Sequence, residues 1–299
     1  MELPIKCKKR IIQLYPINAK KIIMNLENLI DNIVSKYKLE NIKILDIMSY
    51  NIIIDAYSKE YKNVIVKIGI LRNTISREIE FYNIYSGNSN VCKVYDFNIG
   101  MNYLVLKKAL PALKLDNIQN FDRRLKIYKK IFRSLNKEES FSNILPLYKD
   151  IFFKSVTNCK EKFLQENIWK AKNFLIEIEN LHLTKYVLHG DIHHWNIVLD
   201  DNKWKLIDPA GYVAEKVFDS VVFLQNEFWK YCKCDNDINE TIDKVSKELD
   251  INKILILKAL YINVTLTIVW NIEDHVENRV IDNNLKNLYL LNCFIEKSI

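Results

Sequence analysis

Residues 187–211, VLHGDIHHWNIVLDDNKWKLIDPAG, constrain this chain more than any other stretch. A polar run holding His189, Asp191, His193, His194 and Asn196 precedes two short apolar runs, 197–199 and 204–207. Two such runs around a polar turn read as a tight hairpin. The second run ends on Asp208-Pro209, and proline stops a strand from continuing. Gly190, just before Asp191, permits an unusual backbone turn. The hairpin therefore follows one carboxylate and one amide, five residues apart, and delivers a second carboxylate at its end.

The rest of the chain divides by periodicity. Residues 18–37 have helical spacing, with Ile22, Ile23, Leu26, Leu29, Ile30 and Ile33 on a broad face. Strand-like runs follow at 42–47, 51–57 and 63–69, then a helix over 74–85, then strands at 92–98 and 103–107 with Gly100 at their turn. From about residue 110 the character changes to long helices, predicted at 121–135, 146–156, 160–181, 215–231, 237–249, 252–270 and 284–296. The expectation is an α+β chain: an antiparallel sheet lobe with one key helix over 1–106, and a larger, mainly helical lobe over 107–299.

Composition narrows the class. Five glycines and five prolines in 299 residues argue against disorder and against a turn-rich all-β fold. The longest apolar candidate, 251–270, is interrupted by Lys253, Lys258 and Asn263, so it reads as a buried helix and not a membrane span. The opening MELPIKCKKR places charges where a secretion signal needs an apolar core. Six scattered cysteines point to reduced thiols and a cytoplasmic location. Cys232 and Cys234 form a single C-x-C without a second pair, a weak zinc signal. After position 214 there are 14 acidic and 10 basic residues, net −4, leaving +11 in the first 214. A basic front suits an anionic nucleotide and an acidic tail suits a cationic acceptor. No aromatic-and-basic stripe of the kind that binds nucleic acid is present.

The chemistry follows from the donor set. Phosphoryl transfer needs a carboxylate near the acceptor hydroxyl and hard oxygen ligands that hold magnesium against nucleotide phosphates. Asp191 fits the first task; Asn196 and Asp208 fit the second. Taken singly, Asp191 reads as a loop-capping aspartate, Asn196 as a turn asparagine and Lys67 as a surface lysine. Their combination in one order argues against those readings. Lys67 lies in the strand NVIVKIG, pointing opposite to Val66 and Ile68, and reaches phosphates if a carboxylate orients it. Glu78 is that carboxylate, on the helix face shared with Ile75 and Tyr82, whereas Glu80 lies near the opposite face. A metal-hydrolase cluster of His189, Asp191, His193 and His194 is the competing reading, but only His275 follows and no acid-rich segment completes it. His189 then reads as a backbone-bonding loop residue. One of His193 and His194 packs and the other faces the site, in an order the sequence leaves open. The phosphate-covering turn, 48–51 (MSYN), has no glycine, and no phosphate-cradling glycine motif occurs anywhere.

With these residues in hand, HGDIHHWNIVLDDNKWKLIDPAGYVAEKVFD (189–219) resembles the aminoglycoside and hydroxyurea resistance kinases, the group containing streptomycin phosphotransferase. The doubled His193-His194, Asn196, and the Ile-Asp-Pro-x-Gly run ending at Gly211 carry the likeness. It continues through REIEFYNIYSG (77–87), FLQNEFW (223–229) and VWNIEDH (269–275). The resemblance implies a two-lobed, protein-kinase-like fold and phosphorylation of a small hydroxylated, cationic molecule by ATP or GTP with Mg2+. It implies that Asp219 braces the catalytic loop and that Asn226, Glu273 and Asp274 sit toward the acceptor. Ala210 and Lys216 depart from the family, which tends to have lysine and proline there. Two rivals stand beside this: a choline, homoserine or methylthio-sugar kinase of the same fold, and a silent nucleotide-binding relative, argued from the glycine-free turn. Oligomeric state is not legible.

Overall fold

The computed structural model describes residues 1–45, 51–70 and 75–298. The chain opens with two helices, α1 (Ile5–Leu14) and α2 (Ala19–Tyr37), followed by strands β1 (Leu39–Leu45), β2 (Asn51–Ser58) and β3 (Lys62–Gly69). Helix α3 (Ser76–Ile84) leads to β4 (Val94–Asn98), β5 (Tyr103–Lys107) and β6 (Pro111–Lys114). Helices α4 (Phe121–Ser134), α5 (Tyr148–Asn158) and α6 (Gln165–Glu179) precede four short strands, β7 (Lys185–Leu188), β8 (Ile197–Asp200), β9 (Lys203–Leu206) and β10 (Tyr212–Glu215). Four helices complete the chain: α7 (Val217–Lys230), α8 (Asp235–Leu249), α9 (Lys253–Glu273) and α10 (Asn278–Ser298).

The chain forms two compact units, 1–113 with 198–207, and 114–197 with 208–299. In the first, five antiparallel strands pair in the order β1-β2-β3-β5-β4. Val64, Val66 and Ile68 of β3 share a buried cluster with Ile52 and Ile54 of β2 and with Leu26, Ile30 and Ile33 of α2. Because a strand alternates its side chains, Lys67 points to the other face. The amphipathic spacing that predicts α2 is thus used to cover one side of the sheet.

The β8–β9 hairpin, expected among the helices, groups with this first unit. Its backbone explains why: Cys92 N–H donates to Leu206 O (3.0 Å), Leu206 N–H to Asn90 O (2.8 Å) and Asp201 N–H to Leu110 O (2.6 Å). Lys107 also holds Asp200 at 2.6 Å. Val91 bridges Leu206 here through the Cys92–Leu206 and Leu206–Asn90 bonds, and β4 starts at Val94 and not at 92.

In the second unit α9 is buried on nearly every face, from Ile256 to Val269. By length and composition it is, among the described residues, the one helix able to cross a membrane; 67% of its apolar window is buried. Helices α5, α6, α7, α8 and α10 all contact it, so its all-round hydrophobicity marks a core helix. Asn252 caps it, accepting the Ile254 and Leu255 N–H groups (2.8 and 3.2 Å). Several element ends differ from expectation. The helix predicted at 160–181 opens as a 3-10 turn over Lys162–Leu164 before α6, and α10 begins at Asn278 rather than 284. Helix α1 and strands β6, β7 and β10 were not expected. The last two are four residues each and pair with one another, Leu188 opposite Tyr212, which no local pattern announces.

Candidate active site

Strand β7 ends at Leu188 and hands the chain to a loop whose polar groups are nearly all committed. Asp219, in the first turn of α7, is 1% exposed and accepts the Gly190 N–H at 2.8 Å and the His189 N–H at 3.2 Å. His189 is fully buried; its Nδ1 accepts the Asp191 N–H (3.2 Å), and its carbonyl accepts Ala210 N–H (2.8 Å) and Gly211 N–H (3.1 Å). The last two bonds tie the Asp208-Pro209-Ala210-Gly211 turn to the loop. Gly190 has φ +82°, and a Cβ there would stand 2.3 Å from the Tyr212 ring. Glycine is thus required twice, for its backbone and for its lack of a side chain.

Asp191 keeps its carboxylate accessible, with 46% of the side chain exposed. Asn196 donates through Nδ2 to the Asp191 carbonyl (2.9 Å) and to Oδ2 (3.2 Å). That use of the amide nitrogen leaves Oδ1 as an acceptor, the kind of hard donor a divalent cation takes. Asp208 is exposed and holds φ at 55°, a region that costs an L-residue about 1 kcal/mol and that aspartate tolerates better than most. The residues at these two positions fit a magnesium ion in donor chemistry. Among the described residues no group of three or more His, Cys, Asp or Glu forms a metal cluster. His189 accepts the Asp191 backbone N–H, His193 lies beside the Asp191 carboxylate and His194 turns to Glu227, so the hydrolase grouping does not form among the described residues.

The order of the paired histidines is decided by packing. His194 is 1% exposed, stacks on Phe223 (4.9 Å, 6°) and places Nε2 2.7 Å from Glu227 Oε1. His193 is the site-facing one: its Nε2 lies 3.5 Å from Asp191 Oδ2, and its Nδ1 accepts the Trp195 N–H at 3.2 Å. Glu227 also holds Arg124 in a two-pronged pair, Nε to Oε1 at 2.7 Å and Nη2 to Oε2 at 2.5 Å. Arg124 donates further to the Ile118 and Gln119 carbonyls and lies 3.6 Å over the Tyr231 ring. Burial pushes the Glu227 carboxyl up, but Arg124 and His194 outweigh it and hold it below the ordinary range. Sequence reading missed Arg124 and Glu227. The signal was present, since each is a lone charge on an otherwise apolar helix face, beside Leu125, Tyr128 and Ile131 in one case and Phe223, Leu224 and Phe228 in the other.

Of the residues expected toward the acceptor, Asn226 uses its Oδ1 to accept the His194 N–H (3.3 Å), and Glu273 and Asp274 are exposed at the C-terminal end of α9. In the first unit, Lys67 Nζ meets Glu78 Oε2 at 2.7 Å, with 8% and 4% of the side chains exposed. Glu80, the alternative, is half-buried. Of the turn at 48–51, residues 48–50 lie outside the described residues, and Asn51 opens β2.

Burial pushes the Asp219 carboxyl up to about 7 against the pull of the Gly190 and His189 N–H groups. An unfolded aspartate titrates near pH ~3.9. From there to about 7 the folded protein holds a proton that the unfolded chain lacks. Stability from this group is therefore full below the unfolded value and lost as pH rises through the folded one. Asp219→Asn is expected to flatten that fall. Urea unfolding at pH 5 and pH 8 checks it, and equal pH slopes in the two proteins would refute it.

The sequence profile of the aminoglycoside/hydroxyurea antibiotic resistance kinases matches residues 93–275. No curated protein sequence matches significantly. Among solved structures, the choline kinase LicA from Streptococcus pneumoniae is 15% identical, with a TM-score of 0.67 over 88% of this chain and 99% of that one. The aminoglycoside phosphotransferase APH(4)-Ia is 9% identical, with a TM-score of 0.66 over 92% and 99%. A choline/ethanolamine kinase family protein from Mesorhizobium loti is 10% identical, with a TM-score of 0.66 over 87% and 90%. At these identities the likeness establishes the protein-kinase-like fold. The profile covers more than half of the chain, through the loop, the hairpin and α7, and so the chain belongs to the aminoglycoside/hydroxyurea antibiotic resistance kinase family, ATP-using small-molecule phosphotransferases.

Proposed function

We propose that this protein transfers the terminal phosphoryl group of ATP or GTP to a hydroxyl of a cationic aminoglycoside, with streptomycin as the leading acceptor and Mg2+ as the cofactor. The supporting observation is the Asp191 carboxylate, held from one side by Asn196 and open to solvent on the other. Asp191 accepts the acceptor hydroxyl's hydrogen bond and receives its proton as the new O–P bond forms and the bond to the leaving nucleoside diphosphate breaks. Little basicity is needed because the transition state is loose, so an aspartate with ordinary chemistry serves if it is well placed. Asn196 Oδ1 and Asp208 would hold the magnesium, which when bound neutralises charge on the phosphate oxygens. Lys67, oriented by Glu78, contacts the phosphates. Glu273 and Asp274 receive ammonium or guanidinium groups of the acceptor, and Asn226 acts beside them through its bond to His194.

The test is product detection by mass spectrometry with ATP or GTP, Mg2+ and a panel of streptomycin, hygromycin B, choline and homoserine. Phosphorylated streptomycin supports the reading; turnover of choline or homoserine alone transfers it to a metabolite kinase. Tight magnesium-nucleotide binding with no turnover of any acceptor would make the protein a silent relative. The nucleotide half has its own check. Lys67→Met combined with Glu78→Gln, which leaves no buried charge unpaired, is expected to raise the nucleotide Kd roughly tenfold, the loss of one charge-assisted contact. Titration with a fluorescent ATP analogue measures it, and an unchanged Kd removes Lys67 from the phosphate site.

A further inference from the structure

Trp195 lies inside the loop as the residue before Asn196, yet 51% of its surface is exposed. A tryptophan used for packing is buried; one left open beside a reactive carboxylate presents a face. The Asp116 carboxyl lies near the indole: burial would raise it, but Lys230 and Trp195 hold it below its ordinary value. Asp116 is itself tied to Tyr231, whose hydroxyl donates to the Asp116 carbonyl at 3.1 Å, and Arg124 lies on the Tyr231 ring. Through Tyr231, Asp116 thus connects to the buried Arg124–Glu227–His194 group. On its other flank the indole meets the His193 ring edge-on, 5.7 Å between centroids at 72°, and His193 Nε2 is 3.5 Å from Asp191 Oδ2. One imidazole therefore separates the indole from the carboxylate assigned to the acceptor hydroxyl.

We propose that Trp195 determines acceptor specificity by taking an ammonium or guanidinium group of the acceptor on its indole face. The inference rests on Asp191 being the acceptor-side carboxylate. Tryptophan offers the strongest aromatic face for a cation, and the edge-on His193 ring restricts the indole before the ligand arrives, so less rotamer freedom is lost on binding. The neighbouring Asp191 carboxylate favours a positive charge in the same place. A neutral hydroxylated ring gains none of these terms. Indole contact therefore separates cationic from uncharged acceptors even when both present a hydroxyl to Asp191.

Isothermal titration of streptomycin, choline and uncharged myo-inositol into wild type, Trp195→Phe and Trp195→Ala tests this, with ADP binding and Tm as controls. The Ala variant is expected to weaken cation binding roughly 3- to 30-fold, with Phe between it and wild type and with ADP affinity and Tm unchanged. The proposal is overturned by unchanged cation affinity, by no cation binding to wild type, or by an equal loss for myo-inositol. Its failure is separable from that of the phosphotransfer reading. Unchanged cation binding in Trp195→Ala, with turnover abolished in Asp191→Ala, sinks the indole role alone. Full turnover in Asp191→Ala sinks the base assignment while the titration still reports on the indole.

Discussion

Asp191→Ala is expected to lower kcat by roughly 10²- to 10⁴-fold, the range for removing a positioned acid–base group, while nucleotide KM and Tm move little. The stability expectation comes from exposure: 46% of the side chain faces solvent, so truncation removes little packing and gives up the Asn196 contact. The kinetic expectation comes from the loop, which commits its backbone to aiming this one carboxylate. His193 N–H and Asn196 Nδ2 both donate to the Asp191 carbonyl (2.9 Å each), and Asp191 N–H donates to His189 (3.2 Å). Truncation keeps those backbone bonds and removes only the reactive group. Asp191→Asn is the sharper control, since it keeps the shape and removes the charge. Single-turnover kinetics with the best acceptor of the panel decide the matter; a variant with wild-type kcat would end the assignment.

Glu227→Ala is expected to produce the largest loss of stability. It leaves Arg124, 1% exposed, as a buried cation without its carboxylate, and strips His194 of its Nε2 partner. Breaking a buried pair from one side costs about 3–5 kcal/mol, which for a chain of this size lowers Tm by roughly 5–8 °C. Replacing both ends together, Arg124→Met with Glu227→Leu, is expected to cost much less than either single change, because no charge is stranded. Thermal and urea unfolding of the three variants measure it. Equal losses in the single and double variants would show that the pair contributes through packing alone. Glu227 also holds the loop through His194, so the double variant is expected to fold and still turn over more slowly than wild type.

These two residues mark the limits of sequence reading here. Asp191 was legible because a loop's chemistry is written in consecutive residues: His189-Gly190-Asp191, then Asn196, then Asp208-Pro209. Lys67 and Glu78 were legible because the strand and helix periods alone place them on inward faces, and the 2.7 Å pair bears out that geometry. Glu227 and Arg124 are 103 residues apart, and neither helix says which element will cover it. The fold behaves likewise. Strands β2, β3 and β5 and helices α2, α4, α7 and α9 followed from periodicity, whereas β7 and β10 form where residues 185–188 and 212–215 meet each other and the backbones of Glu138 and Leu147. The hairpin was visible as a hairpin, but not which unit it joins, since that depends on the carbonyls of Asn90 and Leu110.

Local order therefore determined the α+β division, the loop, and the residue types able to move a phosphoryl group, because spacing along a strand or helix fixes which side chains share a face. Tertiary structure alone decided which of the paired histidines is buried and which faces Asp191, that Asp219 clamps two loop amides, and that Trp195 stands open with its ring edge-on to His193. Those choices depend on groups brought together across the chain. Burial and pairing of polar atoms are settled by what the fold places opposite them.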